Sequence, residues 1–182
     1  MGDVKRRAVD PRLFSGTLAD MNTPASALGR SLRSASRLVL SLSQDLQPQD
    51  YLYRMCAGAN CPAWIIGHLV LSSRGMMKRL GVVSLPELPE GFETRFARDE
   101  LAPNSDDYGD VSVLLPLFEQ HHDLFAGRIE TLTPEQMATP LPQPHPMFGT
   151  LGEMAAFAPV HVAVHAGHIS LIRRGLGRKP LV

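Results

Sequence analysis

The stretch HVAVHAGHIS, residues 161–170, places three histidines within eight positions of a segment that otherwise reads as a buried helix. On an α-helix, residues four apart stand nearly above one another, about 6 Å along the axis, and their side chains lean the same way. His161 and His165 have that spacing. Two imidazoles so placed can chelate one divalent ion from a single helix face. Two core or surface histidines can also fall into register by chance, because short motifs match often without function. His168 stands about 10 Å of rise from His161, too far to share its ion, and is read as a polar group beside the pair.

The helix around this stretch has clear ends. Thr150 and Glu153 form the T-x-x-E of a capping box, which starts the helix at Leu151. Gly175 stops it after Arg173 and Arg174, whose charges suit a helix carboxyl end. Pro159 lies inside and removes one backbone hydrogen bond just before His161, predicting a kink.

Three more helices follow from the same signals. Thr23 caps a first helix with Pro24 at its opening position, and Leu28, Leu32, Ala35, Val39, Leu42 and Leu46 recur at steps of four and three until Pro48. Residues 49–59 read as a short turn of helix and a loop. A second helix begins at Pro62, capped by Asn60 or Cys61, and runs to Gly81 with Ile65, His68, Leu69, Ser72 and Met76 inward. Residues 82–109 hold three prolines and no period, and are read as a crossover. The third helix spans about 112–132, with Leu114, Phe118, His121, Phe125 and Leu132 on one meridian and an irregular first turn at Pro116. Residues 131–149 predict one helical turn at PEQM and then an extended, proline-rich run. No alternating segment signals a strand. Four amphipathic helices around one core make an all-α bundle covering 23–182, preceded by an arm at 1–22.

His68 adds a third imidazole. It lies on the inward side of the second helix, inside WIIGHLVL, the most apolar stretch of the chain. An imidazole among Ile and Leu is costly unless its nitrogens are bonded, and a metal supplies one such partner. Three imidazoles from two facing helices, with one position left for water, make an open, catalytic type of site.

Composition narrows the function classes. Lys plus Arg and Asp plus Glu number 18 each, so no net field draws in nucleic acid or an anionic membrane. No uninterrupted apolar run approaches the roughly 20 residues of a membrane span, and the amino terminus lacks a secretory signal's apolar core. A soluble, cytoplasmic protein with no nucleic-acid or membrane partner is expected. Cys56 and Cys61 are the only cysteines; Cys61 is about two helical turns from His68, and both are read as ordinary thiols. His121 is read as a satisfied core histidine that lines any pocket there, His122 as lying at the bundle edge, and His145 as a loop residue without a role.

These residues resemble the DinB/YfiT-like superfamily of metalloenzymes. Its second helix carries W-x-x-G-H-L, here Trp64, Gly67, His68 and Leu69. Its fourth carries H-x3-H followed by G-x-I, here His161, His165, Gly167 and Ile169. The likeness extends to LPELPEGFETRF in the crossover and TLGEM at the start of the fourth helix. Where relatives have glutamine before the isoleucine, this chain has His168. The resemblance implies an up-down-down-up bundle with a long crossover, a homodimer in many members, and a divalent metal on His68, His161 and His165. Relatives include bacillithiol-dependent S-transferases and a mycothiol-dependent maleylpyruvate isomerase, which implies a low-molecular-weight thiol cosubstrate.

Two functional expectations follow. One is a metal-dependent enzyme acting on a small molecule, with zinc or nickel favoured and iron or manganese compatible with imidazole. The other is a bundle that binds metal or a small ligand without turnover, since no general base is evident: Glu153 lies two turns before His161 on another meridian.

Overall fold

The structure, a computed structural model, describes residues 23–97 and 108–181. The expected arm at 1–22 and part of the crossover, 98–107, lie outside the described residues.

Helix α1 spans Pro24–Ser43, with the Thr23 hydroxyl accepting from the Ser26 amide and Pro24 at its first position. Its stripe of Leu32, Ala35, Val39 and Leu42 is buried. A 3-10 turn at Pro48–Leu52 leads to α2, Pro62–Arg79, which Cys61 precedes and Gly81 follows in the left-handed conformation. The described part of the crossover contains a short helix the sequence did not signal, α3, Phe92–Arg95. Phe92 and Phe96 anchor it in the core. A 3-10 turn at Val111–Val113 opens α4, Leu114–Glu130, as the early proline predicted. After α5, Pro134–Ala138, the chain enters α6, Leu151–Gly175, through the Thr150–Glu153 capping box. The helix continues through Pro159. Gly175 is still helical, and the left-handed glycine that follows α6 is Gly177.

One expectation is corrected between α5 and α6. Pro140–His145 and Phe148–Thr150 pair as antiparallel strands β1 and β2, with an irregular register between Pro140↔Thr150 and His145↔Phe148. Three prolines in PLPQPH remove amide donors, so this segment pairs only in part and shows no alternation in sequence. The fold class remains an all-α, four-helix bundle.

The four long helices close a ring: α1 packs on α6 and α4, and α2 packs on the same two from the other side. Polar contacts fix their directions. Arg173, near the end of α6, donates to the Leu42 carbonyl (2.9 Å) and pairs with Asp45, so α1 and α6 run the same way. Arg33 of α1 pairs with Glu130 (3.1 Å) at the far end of α4, so those two are opposed. Arg128 of α4 donates to the Leu80 carbonyl (3.0 Å), which aligns α4 with α2. The order is up-down-down-up, and two parallel neighbours, α2 and α4, require the long crossover between them.

Two glycines set how closely the elements approach. A Cβ at Gly29 would lie 2.3 Å from Cγ of Glu130 and 2.9 Å from the Ala126 carbonyl oxygen, so α1 meets α4 where α1 has no side chain. A Cβ at Gly67 would lie 2.2 Å from the Phe96 ring. The residue before His68 is therefore the seat of the crossover helix.

Among the described residues, α6 alone is apolar enough by length and composition to cross a membrane, which departs from the expectation that no segment is. Its inward side is buried against the bundle at Met154, Val162, Ile169 and Ile172, while Val160, Val164 and Leu171 face outward.

Candidate metal centre

Helices α2 and α6 run in opposite directions, and this brings His68 level with His161 and His165. One ring nitrogen from each of the three lies within 4.8 Å of the others. The ring of His68 meets those of His161 and His165 edge-on, at 5.4 and 5.3 Å between centroids. Nε2 of His165 stands 3.2 Å from Nε2 of His161. Nitrogens bound to one tetrahedral zinc at about 2.0–2.1 Å are separated by about 3.3 Å, so the i, i+4 pair already has a chelating spacing. His68 stands slightly further back.

The electrostatics suit a cation's ligands. Burial, reinforced by His161, His68 and His168, pushes His165 down to about 3, so it is neutral at physiological pH and its lone pair is available. Its Nδ1 is buried with no hydrogen-bond partner. Among the described residues no carboxylate or thiol completes the cluster. Three converging imidazoles, with His165 neutral, fit a divalent ion that leaves coordination positions open.

Two of the three rings are braced by neighbours one helical turn away. The Trp64 indole stacks on His68 at 4.7 Å with planes 5° apart, and the Ser72 hydroxyl lies 3.3 Å from His68 Nε2. Phe157 stacks on His161 at 5.7 Å with planes 17° apart. Position pairs 64/68 and 157/161 share the i, i+4 spacing that identified the histidine pair, so these braces were available in the sequence but not singled out there. His145, given no role, stacks on Phe148 at 4.3 Å, and Phe148 tilts against Phe157. Strands β1 and β2 thus carry an aromatic ladder that ends at His161.

The other candidates separate from the triad. His168 is exposed, and its ring meets the edge of His165 at 5.6 Å. His121 is a satisfied core residue: Nδ1 donates to the Leu117 carbonyl (2.7 Å), and Nε2 faces the Arg74 guanidinium (3.1 Å). Burial lowers its pKa, and Arg74 lowers it further. His122 is not at the bundle edge as expected but 3% exposed, stacked on Phe118 at 4.0 Å and donating from Nδ1 to its carbonyl (3.0 Å). Because α4 has neighbours on two sides, α1 and α2, its buried arc is wider than one meridian. Cys56 and Cys61 are free thiols, one exposed and one buried. Glu153 is occupied by the cap, accepting from the amides of Gly149 and Thr150.

Comparison with known proteins agrees with this architecture. The family model of the DinB superfamily matches residues 31–169. The fold is similar to a solved structure described as "YfiT from Bacillus subtilis is a probable metal-dependent hydrolase with an unusual four-helix bundle topology". The TM-score is 0.62 at 15% identity, over 96% of this chain and 93% of that one. No curated protein matches the chain significantly.

Proposed function

Since this chain belongs to the DinB superfamily, we propose that it is a metal-dependent enzyme acting on a small molecule, its divalent ion held by His68, His161 and His165. The observation that carries this reading is the convergence of the three imidazole nitrogens within 4.8 Å. An ion held there supplies Lewis acidity and lowers the pKa of a bound water or thiol towards neutrality. Imidazole donors favour zinc or nickel, with iron and manganese also admitted. Helices α2 and α6 hold the rings at fixed spacing, and Trp64, Ser72 and Phe157 keep them from rotating away. His68 and His161 are only half-buried, which leaves the site open on one side for a substrate.

Two nucleophiles are in contention. The similar YfiT is described as a probable hydrolase, which supports water; the resemblance to thiol-dependent relatives supports a low-molecular-weight thiol, and hence an S-transferase or isomerase. A second reading, a bundle that holds metal without turnover, is favoured by the lack of a carboxylate beside the triad among the described residues.

The test is metal content of tag-free protein, followed by turnover with and without chelator. Stoichiometric metal, lost in each of His68→Ala, His161→Ala and His165→Ala, supports the centre; full metal retention in any of them overturns it. Chelator-sensitive hydrolysis of activated esters points to water. Chelator-sensitive consumption of thiol with an electrophile points to transfer. Bound metal with neither activity moves the assignment to the non-catalytic bundle.

A further inference from the structure

The seam between α2 and α6 continues past the histidines. Opposed helices put Ile65, about one turn before His68, level with His168 and Ile172, about one and two turns after His165. At that level lies a cavity of about 300 Å³, its walls including Met55 and Asn60 from the loop before α2, Ile65 of α2, and His168, Leu171 and Ile172 of α6. Met55 of its wall packs closely on α6 at Gly175, where a Cβ would lie 2.4 Å from the Met55 sulfur. The near end is His168, whose ring touches that of His165.

Three features mark this cavity as a place for an apolar group rather than for solvent. Its lining is mainly aliphatic and thioether, with Asn60 and His168 as the polar exceptions. Leu171 and Met55 stand 55% and 46% exposed at its rim, apolar surface that an occupant would cover. Its volume lies at the lower end of the range for small-molecule sites, and is about twice the roughly 150 Å³ that accommodates benzene.

Resting on the metal-centre reading above, we propose that this cavity is the subsite for the apolar tail of the substrate. The substrate class is then an amphiphilic small molecule. Its oxygen-bearing head lies against His68, His161 and His165, and its tail, of up to about twelve carbons by that scaling and so with room for a fused bicyclic ring, runs along α6 between Ile65 and Leu171. His168 offers a hydrogen bond to a polar group at the junction, and Asn60 one at the loop side of the cavity.

Straight-chain alkyl hydroxamates test this, because the head binds divalent metal and the tail length can be varied. Zinc-loaded protein is titrated by calorimetry with the two-, four-, six- and eight-carbon members. Affinity is expected to rise by up to about fourfold per methylene buried, and on the order of 100-fold across the series. In Leu171→Asp and in Ala59→Phe, the latter filling the cavity from the loop wall beside Asn60, that gain shrinks at least tenfold, with acetohydroxamate affinity unchanged. The Met55 methyl carbon, assigned by loss of its signal in Met55→Leu, is expected to shift with the eight-carbon ligand and not with acetohydroxamate. Failure of acetohydroxamate to bind zinc-loaded protein overturns the metal-centre reading. Acetohydroxamate binding with no gain from chain length, with a gain that survives both variants, or with a silent Met55 methyl overturns the cavity assignment and leaves the metal centre standing.

Discussion

His122 provides a direct test of how the bundle handles a buried base. Burial between α4 and its neighbours pushes its pKa down to about 3, whereas in the unfolded chain it titrates near the ordinary value of about 6.5. Above that value neither state holds the proton, and the residue adds no pH dependence. Below it the unfolded chain takes up a proton that the fold refuses, so stability falls towards pH 3 by up to about 1.4 kcal/mol per pH unit. At pH 5 the loss from this one residue is about 2 kcal/mol. The measurement is urea unfolding of metal-free protein at pH 8, 7, 6 and 5, for wild type and His122→Asn. Asparagine keeps an amide donor for the Phe118 carbonyl and does not titrate. It loses ring packing, a cost that is the same at every pH. All other histidines are common to both proteins, so the stability gap between them isolates His122. That gap should narrow by about 2 kcal/mol between pH 8 and pH 5, and parallel curves would refute the buried, neutral assignment.

Other outcomes follow from packing and linkage. Gly67→Ala forces a methyl against the buried Phe96 ring and should cost about 1–3 kcal/mol, read as a lower thermal midpoint; an unchanged midpoint would mean that α3 is not seated on α2. Thr150→Ala removes the hydroxyl that accepts from the Glu153 amide and should cost about 0.5–2 kcal/mol in urea unfolding, unless the cap forms no part of the folded state. Zinc at about 100 times its dissociation constant should stabilise wild type by about 2.7 kcal/mol, a midpoint rise of about 8 °C at this chain length, while His165→Ala should show no rise.

Much of this molecule was legible because caps and periods are local. Thr23 with Pro24, Pro62, and Thr150 with Glu153 announced three helix starts to the residue, each fixed by backbone groups within one turn. The i, i+4 spacing of His161 and His165 is equally local, and His68 was drawn to them by the cost of an imidazole in an apolar helix. What escaped depended on contacts distant in sequence. The pairing of β1 with β2 is carried by a proline-rich strand with no alternation to betray it. His122 is buried because α4 has a second neighbour, which a single-meridian reading of that helix does not include. Gly67 looks like a weak point in a helix until Phe96 is placed against it.

The topology has a consequence for when the proposed centre could form. One of its three donors sits on the second long helix and two on the last, with the crossover, α4, α5 and both strands lying between them in the chain. A nascent polypeptide emerging from the ribosome would expose His68 well before His161 and His165 are synthesised, so it cannot load the ion piecemeal. Occupancy would then report on a finished, correctly docked chain, and carboxyl-terminal truncation would yield protein unable to retain the ion.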